Sequence, residues 1–187
     1  VHSGDYESGR HEPEPAKLIG MEFIDYLSRD IHAEYKIFVA GNHDTWYWND
    51  SQAFIAYAKS KNIIVLDGSE VVKLGKLRFY GTPYLYTSRR NPEYKETLPE
   101  PGSFDVLVTH VPPFGVRDFS CSKKENIGSP ALRNFIQENQ IKLHIFGHCH
   151  EGYGSSGVFR NVALASRGKT KVLVNEPMVI DINYITA

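Results

Sequence analysis

Cysteine is scarce: Cys121 and Cys149 are the only two in 187 residues. Two cysteines cannot staple a domain of this length, so the fold has to rest on an apolar core. Long hydrophobic runs are missing too. No apolar stretch reaches the roughly 18–20 residues that span a bilayer, and no charged-then-apolar leader opens the chain. These absences set the expectation of a cytoplasmic protein with free thiols and no membrane partner. Excess charge of one sign is also absent, since 21 Lys and Arg meet 22 Asp and Glu for a net charge of -1. That balance argues against a grip on nucleic acid or acidic membrane by bulk charge and leaves room only for a local basic loop. Asn49-Asp50-Ser51 matches a glycosylation acceptor, but with no secretion signal it is read as chance.

What is present is globular. A hydrophobic fraction of 41% against a charged fraction of 23% excludes a disordered chain. The length predicts a single domain spanning 1–187. Val1 to Asp5 reads like the tail of a strand running into a loop. Pro15 suits the first turn of a helix, and Ile19, Phe23 and Leu27 recur at helical spacing behind it. Tyr35 to Ala40 is a short apolar strand, a helix follows Asp50 or Ser51, and Asn62 to Leu66 is a strand. Val71 to Leu74 and Leu77 to Tyr80 flank Gly75-Lys76 as a hairpin. Thr87 to Gly102 reads as a surface loop. Asp105 to Thr109 is a buried strand, and His110 to Gly128 is a long loop of the kind that carries function. Ser129 caps a third helix with Pro130 in its first turn. Strands are expected at Leu143 to Phe146, Val158 to Val162, Lys171 to Val174 and Met178 to Ile182. Helices alternate with strands early and strands dominate late, which predicts an α/β fold with more than one sheet, or a mixed sheet covered by helices.

Four segments end in the same way. Ile37 to Ala40 runs into Gly41-Asn42-His43-Asp44, and Val106 to Thr109 runs into His110. Leu143 to Phe146 runs into Gly147-His148-Cys149-His150, and Val1 to Gly4 runs into Asp5. The carboxyl edge of strands is where α/β sheets build their sites. With these strands parallel and adjacent, Asp5, Asn42, His110, His148 and His150 converge. A set of carboxylate, amide oxygen and imidazole suits Mn, Fe or Zn and is too nitrogen-rich for Mg or Ca alone. His148 and His150, two apart on a turn, can reach two different ions, and Asp5 can bridge them. Two ions about 3.5–4 Å apart are a known device for in-line attack on phosphorus. A lone His after a strand is ordinarily a hydrogen-bonded boundary residue, so the reading rests on the four ends acting together.

Gly4-Asp5, Gly41-Asn42-His43-Asp44, His110 and Gly147-His148-Cys149-His150, in that order, resemble the calcineurin-like metallophosphoesterase superfamily. Thr109-His110-Val111-Pro112-Pro113 and His150-Glu151-Gly152-Tyr153-Gly154 look closer still to its small metallophosphoesterase-domain-containing members, a group that includes cyclic-nucleotide phosphodiesterases. The resemblance implies an α/β/β/α fold, two mixed β-sheets sandwiched between helices. It implies two divalent metal ions, with Asp5 bridging, Asn42, His110 and His148 on one ion, and His150 on the other. His43 would sit at the leaving-group oxygen and Asp44 would orient it, while a metal-activated hydroxide attacks phosphorus. Cys149, between the two His, is a bystander.

The family also carries an Asp-x-His motif ahead of its Gly-Asp. None precedes Gly4-Asp5, so the resemblance implies a fold without its first strand and a second ion left with Asp5 and His150. The expected activity is a metal-dependent phosphoesterase acting on a small phosphorylated molecule. A protein phosphatase or nuclease of the superfamily, and a non-catalytic binding module, are the alternatives. Arg10, His11, Arg117 and Asp118 either line a phosphate pocket or are solvated loop charges. Trp46, Tyr47 and Trp48 either offer a stacking wall or pack beneath their loop.

Overall fold

The computed structural model describes residues 1–7, 9, 11–83, 99, 100, 102–166, 172–181 and 183. Helix α1 spans Pro13–Asp30 and buries Ala16, Gly20 and Ile24. Strand β1, Lys36–Phe38, pairs in parallel with β2, Ile63–Val65. Residues 1–3 lie on the other side of β1: the His2 amide donates to the Ile37 carbonyl, and the Val39 amide donates to the His2 carbonyl. Between β1 and β2 come a short helix α2, Thr45–Asn49, and α3, Ser51–Ser60. The Asp50 side chain caps α3 by accepting from the Ala53 amide.

Hairpin β3 (Val72–Leu74) and β4 (Leu77–Thr82) leads into β5, Val106–Thr109. A small hairpin, β6 (Phe119–Ser120) and β7 (Glu125–Asn126), follows. Helix α4, Pro130–Glu138, starts where Ser129 Oγ accepts from the Leu132 amide. Strand β8, Leu143–Phe146, runs into a single 3-10 turn, His150–Gly152, and the hairpin β9 (Gly154–Ser156) and β10 (Phe159–Asn161). The main sheet has the order β3-β4-β5-β8-β10-β9, with β4, β5, β8 and β10 parallel and antiparallel hairpin strands at both edges. Every residue of β5 and β8 is buried, as befits central parallel strands covered on both faces.

Three apolar clusters set the layers. Ile24, Phe38, Phe54 and Trp46 join the first three helices to the outer face of β1. Ile37, Val39 and Leu66 meet Leu77, Val106, Val108, Leu143 and Ile145, so the small sheet and the main sheet pack against each other. Leu132, Phe135 and Ile136 of α4 cover the far face of the main sheet through Leu107 and Tyr80.

Several expectations change. The main sheet is mixed, but the sheet of β1 and β2 is two-stranded and parallel, because its connection is a helical crossover and not a hairpin. Thr45–Asn49 is helical although nothing in its apolar spacing announced it. The long loop after β5 holds the β6–β7 hairpin. Met178 to Asp181 form no strand, and in place of a strand before Val174 there is one bridge, Ala165 to Leu173. Lys171, Ile182 and most of the loop expected from Thr87 lie outside the described residues. No helix among the described residues is long and apolar enough to cross a membrane.

Candidate metal centre

The site forms where the segment ending in Asp5, the loop after β1, and the ends of β5 and β8 meet. Gly4 makes this possible. Its φ is +94°, and a Cβ there would press on the Gly41 backbone and the His110 ring. Asp5 and His148 both sit at φ 62° without being glycine. Strain of that kind persists only where the surroundings hold it, and it gathers at functional sites.

Asp44 does much of the holding. It is fully buried, and its carboxylate accepts from the amides of Gly41 (2.6 Å), Asp5 (3.0 Å) and Tyr6 (2.9 Å). Burial, then the charge of Asp5, pushes its pKa up to about 7 against the pull of those amides. The Asp5 side chain is fixed in turn by the His43 amide, 2.8 Å from Oδ1. Beside them Glu7, buried, accepts from the Thr45 amide at the start of α2 and lies 3.4 Å from His11.

His110 is the centre of the cluster and is 1% exposed. Its Nδ1 lies 2.7 Å from the Ser3 carbonyl, an acceptor, so Nδ1 carries the proton. Its Nε2 then faces Asn42 Oδ1 at 3.0 Å, His148 Nδ1 at 3.1 Å and Asp5 Oδ2 at 3.3 Å. Burial disfavours a charge on His110, yet Asp5 beside it wins and raises its pKa. Burial works to raise Asp5 as well, and His110 together with the His43 amide overcomes it, holding Asp5 ionised. Burial, then His110, lowers His148 to about 3, so its ring is neutral. So many acceptor atoms at such range are reconciled by a proton between them, on His148 Nδ1 or on His110 Nε2, or by a cation in their midst. Among the described residues, Asp5, His110 and His148 are the one set of three or more His, Cys, Asp or Glu side chains whose donor atoms lie within 4.8 Å of one another. One anionic oxygen, one amide oxygen and two imidazoles fit a borderline divalent cation.

The other expected residues are placed as follows. His150 is outside that set; its Nδ1 donates to the carbonyls of Ala165 (2.9 Å) and Ser166 (3.1 Å). It lines, with Asp5, His110 and His148, a cavity of about 420 Å³. His43 Nδ1 is buried without a hydrogen-bond partner. Asp44 therefore does not orient that ring: its oxygens are occupied by backbone amides, and it positions Asp5 instead. Arg117 and Asp118 do not line a phosphate pocket. Arg117 binds the carbonyls of Gly152, Tyr153 and Ser155, and Asp118 accepts from Gly115, Gly128 and Asn126. Arg10 lies outside the described residues. Trp46 and Tyr47 pack beneath the loop, while Trp48 is 44% exposed with its indole N–H on the Gly41 carbonyl. Cys149 is buried, its thiol pushed by burial up to about 11. An Asp-x-His triplet does stand in the chain, Asp30-Ile31-His32, but it is exposed and begins at the last residue of α1, with Asp30 bound by Arg29. Sequence reasoning missed the Ser3 carbonyl behind His110, which has no side-chain signature, and Glu7.

Residues 1–152 match the family described as calcineurin-like phosphoesterase, and the chain belongs to it. Metallophosphoesterase domain-containing protein 1 of Homo sapiens is 31% identical over 97% of this chain and 64% of its own length, and that of Mus musculus gives the same values. A UPF0046 protein of Caenorhabditis elegans is 29% identical over 90% of this chain and 63% of its own length. The chain thus spans somewhat under two thirds of these relatives.

Proposed function

We propose that the chain hydrolyses a small phosphomonoester or phosphodiester, with a cyclic nucleotide as the first substrate to try, in the cytoplasm. The observation that carries this reading is the convergence of side-chain oxygens and ring nitrogens of Asp5, Asn42 and His148 within 3.0–3.3 Å of His110 Nε2. These four would hold one divalent cation of the Mn, Fe or Zn class, and Asp5 with His150 a second. Bound there, such ions supply charge neutralisation at the phosphoryl group and a nucleophile from water at neutral pH. The residues do the rest. Asp5 stays ionised, and His148 stays neutral with a lone pair to give. Ser3 fixes the ring of His110 so that Nε2 faces inward. His43, half-buried and tied to Asp5 through its amide, would protonate the departing oxygen.

The test is hydrolysis of bis-p-nitrophenyl phosphate by the purified chain with and without Mn²⁺, beside His43→Ala. Turnover that needs Mn²⁺ and falls about 100-fold or more in the variant supports the reading. Unchanged turnover removes His43 from the chemistry. A non-catalytic binding module is the second reading, and the position of His150 outside the converging donors favours it. Metal binding without turnover by wild type would select it.

A further inference from the structure

The turn that carries His148 and His150 is held by a cation that touches neither histidine. Arg117 lies in the loop after β5, seven residues past His110. Its Nη1 donates to the carbonyls of Gly152 (3.3 Å) and Tyr153 (3.0 Å), and its Nη2 donates to that of Ser155 (2.5 Å). The contact is reciprocal at the main chain. Asn161, fully buried at the end of β10, donates through Nδ2 to the Arg117 carbonyl (3.1 Å) and to the Cys149 carbonyl (2.9 Å). The Asn161 Oδ1 is fixed by the Ala163 amide at 3.0 Å. The Cys149 carbonyl also accepts from the Gly152 amide at 3.0 Å, closing the turn on itself. A Cβ at Gly152 would overlap the Arg117 carbonyl, so the two segments touch without room for a side chain. Arg117 itself sits at φ 49°, and His148 at φ 62°. Both strained residues flank the same clamp.

We propose that Arg117 and Asn161 are positioning residues that set the His148–His150 turn against the His110 loop. The inference rests on the metal-site reading of Asp5, Asn42, His110 and His148. A guanidinium satisfies three carbonyls that would otherwise repel one another, and its planar fork fixes their directions where a point charge cannot. The backbone of residues 149–155 is thereby fixed, and with it the left-handed backbone that aims His148 at His110. Losing a group that orients a metal ligand typically weakens metal binding by 10–100-fold.

The experiment uses Co²⁺ as probe, with the wild-type chain, Arg117→Lys, Arg117→Ala, His148→Ala and the double variant Arg117→Ala/His148→Ala. Titration followed by the visible Co²⁺ spectrum gives affinity and ligand geometry together. Amide exchange across residues 148–156 reads the turn without metal. We expect Arg117→Ala to weaken Co²⁺ binding by about 10-fold or more, alter the spectrum and speed exchange in the turn. Arg117→Lys should recover part of the affinity. In the His148→Ala background, removing Arg117 should cost little further, because its effect runs through His148. Unchanged affinity and exchange in Arg117→Ala would overturn the clamp, as would losses that simply multiply in the double variant. Should the alanine variant not fold, Arg117→Lys binding Co²⁺ as wild type does, with an unaltered spectrum and exchange, overturns it equally. A wild-type chain that binds no Co²⁺ overturns the metal reading and this inference with it, a result distinct from the others.

Discussion

After β1 the chain is gathered round a buried carboxyl group. Asp44 draws in the amides of Gly41, Asp5 and Tyr6 and so fixes Asn42 and Asp5 together. After β8 the chain is gathered round a cation, and Arg117 draws in the carbonyls of Gly152, Tyr153 and Ser155. One hub collects donors and the other collects acceptors, and His110 stands between the two loops. The hubs differ in cost. Asp44 is fully buried, whereas Arg117 is half-buried, so water can replace part of what Arg117 does and none of what Asp44 does. The site therefore has a rigid side, carrying Asp5 and Asn42, and a more yielding side, carrying His148 and His150.

The strongest way to break that contrast is Asp44→Ala. It leaves three amides without their acceptor, each worth about 1–3 kcal/mol when orphaned, so a loss of at least about 3 kcal/mol is expected. For a chain of this size that lowers Tm by about 6–12 °C in a thermal melt. The matching cost of Arg117→Ala should be clearly smaller. Equal losses from the two variants would mean that the sides are held alike.

Most donors of the site were legible in the sequence because they follow apolar strands, His110 after β5, His148 after β8 and Asn42 shortly after β1, whereas Asp5 follows a lone bridge at His2 where a strand was expected. The hubs were not. Asp44 stands next to His43 in the chain and looked like its partner, but the helix that starts at Thr45 turns its carboxylate back onto the backbone of residues 5 and 6. Arg117 and Asp118 stood open between a phosphate pocket and solvated loop charges, and proved to be neither, because loop charges carry no mark of the carbonyls or amides they meet. The main sheet followed from β5 and β8, while the parallel pairing of β1 and β2 depended on a crossover through α2, a helix too short to show a period. His144 was read as a strand residue, and its polar partner Thr109 was invisible to periodicity.

That residue gives the second prediction, on the yielding side. His144 is fully buried in β8, with Nε2 2.8 Å from Thr109 Oγ1, whose own proton goes to the Val111 carbonyl. Nε2 therefore donates, and Nδ1 is left buried without a partner. Burial lowers the pKa to about 3 from the ordinary 6.5. The folded chain keeps this ring neutral while the unfolded chain protonates it below pH 6.5. Its contribution is thus intact above pH 6.5 and is lost as pH falls toward 3, at about 1.4 kcal/mol per pH unit. Urea unfolding at pH 7 and pH 5 should show wild type losing about 2 kcal/mol more than His144→Phe, whose ring keeps the contacts with Phe146 and Phe159. Parallel losses in the two chains would contradict a neutral His144.

The smallest effect reads the same side through its thiols. Cys121 is exposed, whereas Cys149 is 1% exposed, between His148 and His150, with its thiol held protonated by burial. Thiolate is the form that reacts with a disulfide reagent, so Cys149 is protected twice, by access and by charge. Wild type at pH 7.5 should therefore take up one equivalent quickly and a second only as the turn opens. Because the Arg117 guanidinium and the Asn161 side-chain amide hold the carbonyls of that turn, Arg117→Ala should speed the slow phase and leave the fast one alone. A mutation on the rigid side works differently: Asp44→Ala lowers global stability, so it should quicken the second equivalent only in proportion to overall unfolding measured in the same buffer. Labelling that tracks global unfolding in both variants would mean that the turn after β8 does not open by itself, and the two sides of the site would then move as one body.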